Sequence, residues 1–118
     1  MRFEDQDIWQ DSQSLAVEVY TLTKKFPKDK QFSLTNQIKR AVTGISANFA
    51  EGYGRSSKKD KAHFYTIAYG SLLETKNFLY LAVKLGFCGK ENIMDNLSLI
   101  ESLQKRLNEL KRTLNARP

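Results

Sequence analysis

Glu51 and Glu74 are the carboxylates placed most suggestively in this 118-residue sequence. Glu51 sits among small and aromatic residues in "ANFAEGYGR", and Glu74 interrupts an apolar stripe. Two carboxylates can act as general acid and base, or hold a hard cation. Either role needs further groups. The chain has one histidine, His63, and one cysteine, Cys88. A histidine-dependent triad would have to use His63, which neighbours Phe64 and Tyr65 and reads as a partly exposed helix residue. Cys88 follows about seven helical turns later, too far to be its partner. A single cysteine also excludes an intrachain disulfide and a cysteine-based zinc site. "GYGR" contains G-x-G without the rest of a dinucleotide fingerprint or a preceding strand. The residues therefore point to no catalytic group, no metal and no cofactor, and the expectation is a protein without enzymatic activity.

The second chemical feature is cationic. Arg55, Lys58, Lys59 and Lys61 follow Glu51 closely, and Lys105, Arg106, Lys111, Arg112 and Arg117 gather near the C-terminus. The net charge is +6, and its excess begins at the turn after Glu51. A basic helix N-terminus can hold a phosphate through its free N–H groups. Two readings stand: a phosphate-facing patch, with Arg55, Lys58, Lys59, Lys61, Lys105 and Arg112 as its residues, or a capped, solvated turn. Tyr53 could stack on a base or serve only in packing.

Four helices must position these groups. The first is expected from Asp7, with Gln10 completing a capping box, to Phe26, where Pro27 stops it. Ile8, Leu15, Val19, Leu22 and Phe26 mark its face. The second is capped by Ser33, buries Leu34, Ile38, Ala41, Val42, Ile45, Phe49 and Gly52, and ends at Tyr53 and Gly54, the latter as a left-handed cap. Ser56 or Ser57 caps the third, which runs to Leu85 with Gly86 ending it. The fourth carries Ile93, Leu97, Ile100, Leu103, Leu107, Leu110 and Leu114 at heptad-like spacing. Short connections make neighbours antiparallel. The expected architecture is all-α, an up-down-up-down four-helix bundle in one domain over residues 1–118.

Two helices carry more than one patterned face. Helix two has a polar stripe of Gln37, Arg40, Gly44, Ala47, Asn48 and Glu51. Helix three has one stripe of Tyr65, Tyr69, Leu72, Leu79, Tyr80 and Val83, and another of Phe64, Ile67, Ser71, Glu74, Phe78, Leu81 and Leu85. A helix apolar nearly all round is buried on both sides, so a homo-oligomer is expected. Glu74 needs a partner there. Arg40, Gln37 and Asn48 can supply it, and Glu51 can join the same network or interface.

The segments "FEDQDIWQDSQSLAVEVY", "FPKDKQFSLTNQIKRAV", "ANFAEGYGR" and "GSLLETKNFLYLAVKLGF" resemble the 23S rRNA-intervening-sequence proteins over about residues 3 to 112. The most specific matches include Gln37, Arg40, Asn48, Glu51, Gly52, Arg55, Ser71 and Glu74. The resemblance implies a four-helix bundle without assigned enzymatic activity that assembles as a ring-shaped homopentamer. A related branch comprises basic accessory proteins of diversity-generating retroelements, which implies RNA or DNA binding and a protein partner such as a reverse transcriptase. The chain departs from the family pattern at Ser46, where proline is frequent, and at Lys76, where a second acid is frequent. Ser46 leads to the expectation of a straighter second helix than the family's, and Lys76 weakens the case for a paired-carboxylate site.

The N-terminus "MRFEDQDIWQ" is acidic and lacks the apolar region of a secretory signal, and no apolar run approaches the ~18–20 residues of a membrane span. A cytoplasmic location without membrane association is the expectation. The leading functional reading is a non-enzymatic oligomer that binds nucleic acid or scaffolds a nucleic-acid enzyme. The alternative is a protein-interaction module whose cations serve only solubility.

Overall fold

The computed structural model describes residues 2–28 and 32–116. Its α-helices are α1 (Asp7–Thr23), α2 (Phe32–Tyr53), α3 (Lys58–Lys84) and α4 (Met94–Ala116), with 3-10 turns at Phe3–Asp5 and Lys90–Ile93. Consecutive helices pack side by side, and α4 closes against α1. The α2–α3 contact is the most extensive. The result is the antiparallel four-helix bundle that the periodicity predicts. Among the described residues no helix is long and apolar enough to cross a membrane.

The core follows the spacing of apolar residues. Leu15, Val19, Ile38, Val42, Ile45, Phe49, Leu72, Leu79, Ile100, Leu103 and Leu107 are all essentially inaccessible. Each helix presents one such face to the common interior, where burial of apolar area supplies the main driving force. Two buried hydroxyls are satisfied within their own helices: Ser12 donates to Ile8 O at 2.7 Å and Thr75 to Ser71 O at 2.8 Å. The buried Thr35 hydroxyl has no partner among the described residues. Gly52 permits α2 and α3 to approach closely, because a Cβ there would lie 2.7 Å from Tyr65 Cε1. Gly44 does the same opposite Ser71, whose Oγ would be 3.0 Å from an added Cβ.

Several expected boundaries are corrected. Asp7 does not form a capping box. The cap position is Gln6, with no side-chain capping bond, and Gln10 Nε2 instead donates to Glu4 O at 3.0 Å. The 3-10 turn ahead of α1 brings that carbonyl into reach. The first helix stops at Thr23, and residues 24–26 form a tighter turn through Lys25 N–Leu22 O and Phe26 N–Thr23 O bonds. Phe26 remains buried, its ring 5.6 Å from that of Phe87. Ser33 lies inside α2, one residue beyond its start.

Gly54 is not a left-handed cap: among the described residues, Gly86 alone has positive φ, at 78°. At the end of α2 the cap is a cation. Lys61 Nζ donates to Tyr53 O at 2.7 Å and Gly52 O at 3.4 Å. Ser57 caps α3, accepting from Asp60 N at 3.0 Å. At the other end of α3, Gly86 N donates to Val83 O and Phe87 N to Ala82 O, at 3.0 and 2.9 Å. That crossed pair is a Schellman motif, and it explains why Gly86 is the residue in the left-handed region.

The candidate assembly surface and basic end

The polar stripe of α2 does meet Glu74. Gln37, Arg40, Gly44 and Asn48 share a cleft of about 320 Å³ with Ser71, Glu74 and Phe78 of α3. Asn48 Nδ2 donates to Gly44 O at 2.8 Å. Among the described residues no ion pair joins Arg40 to Glu74. Glu51 lies outside this cleft. Its carboxylate accepts from Arg55 Nη2 at 3.1 Å, one helical turn further on.

The basic residues are divided between structural contacts and open surface. The Arg55 guanidinium also covers the Phe64 ring, 4.7 Å from its centroid. Lys61 is spent on the α2 terminus and lies 5.5 Å from the Tyr53 ring. Arg106 pairs with Asp11 at 2.7 Å, and Arg112 pairs with Glu109. Lys58, Lys59 and Lys105 are exposed. Lys111 Nζ lies 6.0 Å from the Tyr69 ring. Arg117 is outside the described residues.

The turn between α2 and α3 and the end of α4 lie at the same end of the bundle, as the up-down topology requires. So does the acidic N-terminus: Gln6 bonds the Tyr53 hydroxyl at 3.3 Å, and Asp11 reaches Arg106. Glu4, Asp5, Asp7 and Asp11 therefore dilute the cationic end. Tyr53 is a packing residue, stacked on Phe49 with ring centroids 6.0 Å apart.

His63 is exposed and sets its ring edge-on to Phe64 at 5.2 Å. Burial pushes the Cys88 thiol upward, with Glu91 adding to the effect. Burial, helped by Tyr53, pushes the Tyr65 phenol up to about 12. Among the described residues no group of three metal-ligating side chains converges.

The two stripes of α3 separate only in part. Tyr65, Leu72 and Leu79 are buried and Tyr69 and Val83 half-buried, but Tyr80 is 47% exposed. Ala68, Thr75 and Ala82 take inward positions instead. On the second stripe Ser71 is buried against Gly44, and Phe64 and Phe78 are half-buried. Ile67, Glu74, Leu81 and Leu85 face outward. Sequence spacing missed a further surface, an apolar cleft of about 690 Å³ between α1 and α2. Trp9, Ala16, Val17 and Tyr20 form one wall, and Ala47 and Ala50 the other. The signal was present: those α1 residues recur at helical spacing beside the core face.

Comparison with known proteins agrees with this architecture. The family model described as "23S rRNA-intervening sequence protein" matches residues 4–109. A crystal structure of a protein of unknown function from the S23 ribosomal protein family of Bacteroides thetaiotaomicron is similar, with a TM-score of 0.80 and 25% identity. The match covers 88% of this chain and 97% of that one. No curated protein matches. With nearly its whole helical bundle matched, the chain belongs to the 23S rRNA-intervening sequence protein family.

Proposed function

We propose that the protein is a non-enzymatic homo-oligomer that acts as a scaffold. The observation that carries this reading is the outward stripe of α3. Ile67, Leu81 and Leu85 are 39%, 40% and 52% exposed in a single copy, although they lie along one side of a long helix. Apolar surface gathered in this way favours association. The family resemblance supports a five-membered ring.

Native mass spectrometry and light scattering test the assembly. The expected result is a discrete closed oligomer, five copies in the family's form. A monomer at all soluble concentrations overturns the proposal.

A second reading, contact with the phosphate backbone of RNA or DNA, is favoured by exposed Lys58, Lys59 and Lys105 at one end. Cyclic assembly repeats that end, and multivalency strengthens weak contacts. Binding of this kind is insensitive to sequence and weakens steeply with salt. Reversal of Lys59 and Lys105 to glutamate should reduce it without changing oligomer mass. Undiminished binding by that variant removes the assigned patch, and no binding at low salt removes this reading.

A further inference from the structure

We infer that the polar cleft between α2 and α3 is a binding site for a small α-amino acid with an uncharged side chain, taken up as its zwitterion. The site is built from a single copy of the chain.

The cleft forms where Gly44 faces Ser71. An added Cβ at Gly44 would lie 3.0 Å from Ser71 Oγ and 3.8 Å from Asn48 Nδ2. The missing side chain lets the hydroxyl and the amide converge over bare backbone. The space, about 320 Å³, stands at the small end of ligand sites, which begin near ~300 Å³.

Two neutral groups are left with unused bonding capacity. Ser71 is only 7% exposed and lines the cleft. Thr75 bonds its carbonyl, but its hydroxyl has no partner among the described residues. A buried polar atom needs a partner, and this one opens toward the cleft. Asn48 Nδ2 is committed to Gly44 O at 2.8 Å, which leaves Oδ1 as an acceptor.

The cleft also holds one cation and one anion, Arg40 and Glu74, and no other charge. Arg40 lies one turn before Gly44, and Glu74 one turn after Ser71. In antiparallel helices both steps run the same way, so the two charges occupy opposite walls at one level. No ion pair joins them among the described residues, and neither is paired elsewhere.

A zwitterion matches this arrangement. The Arg40 guanidinium can take a carboxylate through two parallel N–H···O bonds. Glu74 can accept from an ammonium group, with Ser71 Oγ and Asn48 Oδ1 as further acceptors. Water could satisfy the hydroxyl and the amide, but it offers no charge to either wall. A simple anion would satisfy Arg40 while facing Glu74, and a simple cation would do the reverse. A charged ligand side chain would find no second counter-charge in the cleft. Ala41 and half-buried Phe78 instead give that side chain an apolar wall.

Calorimetric titration of the full chain with L-alanine, L-leucine and L-glutamine tests the site. At least one should bind saturably. Acetate and methylammonium each carry one of the two charges and should bind about tenfold or more weakly, because each forgoes a charged hydrogen bond. L-Glutamate and L-lysine should also bind more weakly than the best neutral probe. Arg40→Gln and Glu74→Gln should each lower affinity about tenfold or more. Both positions are exposed, and circular dichroism checks that helicity is kept. Ser71→Ala supplies a separate reading: affinity should fall while the unfolding midpoint without ligand stays unchanged, because the hydroxyl bonds nothing in the chain. Absence of binding by all three neutral amino acids at millimolar concentration overturns the inference. So does affinity unchanged in Arg40→Gln or Glu74→Gln, or acetate binding as tightly as the best amino acid.

Discussion

Glu51 and Arg55 form an ion pair at 3.1 Å across the end of α2, and the Arg55 guanidinium then lies over Phe64 of α3. The carboxylate and the first cation of the basic turn thus belong to one structural unit. Both side chains are about half exposed, so the pair itself contributes modestly, about 0.3–0.5 kcal/mol. Its effect is to hold a cation against an aromatic ring at the junction of two helices. A phosphate ligand would have to compete with Glu51 for Arg55.

Lys61→Met should destabilise the fold by about 1 kcal/mol, because the ammonium bonds the terminal carbonyl of Tyr53 and shares that of Gly52 with Arg55 N. Thermal and urea unfolding measure this. Lys59→Met, at an exposed position of the same turn, should stay within about 0.5 kcal/mol of the parent. Equal effects would show that the Lys61 cap contributes nothing. Loss of nucleic-acid binding in a Lys61 variant therefore cannot be read as loss of a phosphate contact until stability has been compared.

Gly52→Ala and Gly70→Ala should act in opposite directions. A Cβ at Gly52 meets the Tyr65 ring at 2.7 and 2.9 Å and Phe64 Cβ at 3.0 Å. Overpacking of this kind costs about 1–3 kcal/mol. A Cβ at Gly70 meets nothing within 4 Å, so alanine should stabilise the helix by up to about 1 kcal/mol. Denaturant unfolding at matched protein concentration measures both effects. Equal destabilisation by both substitutions would contradict the close α2–α3 approach.

The helical spacing made the interior legible: Ile38, Val42, Ile45 and Phe49 in α2, and Ile100, Leu103 and Leu107 in α4, are buried as expected. Local chemistry likewise narrowed the start of α3 to Ser56 or Ser57, of which Ser57 is the cap, and put its end at Gly86. What escaped depended on contacts across the fold. Gly54 looked like a cap, but Lys61 from the next helix does the capping. Tyr80 fitted a stripe by type, whereas the smaller Ala82 and Thr75 face inward. The basic end was judged from cations close in sequence, while the acids that dilute it arrive from the opposite terminus. Trp9, Val17 and Tyr20 acquire meaning only beside Ala47 and Ala50 of α2.

Tyr65 should make the folded state sensitive to alkali. Its phenol is pushed up to about 12 from 10.0, so the folded state holds the proton across that window while the unfolded state releases it. The associated stability is fully present below pH 10 and is lost as pH rises toward 12. Tyr65→Phe cannot ionise at this position. The stability difference between parent and variant should therefore shift in favour of phenylalanine above pH 10. A difference independent of pH from 8 to 11.5 would remove the link between burial of this phenol and alkaline unfolding.

Glu74 provides a test of the polar cleft between α2 and α3. Its side chain is exposed and makes no ion pair among the described residues, so Glu74→Lys should leave stability within about 0.5 kcal/mol of the parent. Thermal unfolding at matched protein concentration measures this. A larger destabilisation would return Glu74 to a network with Arg40, the cation that shares its cleft.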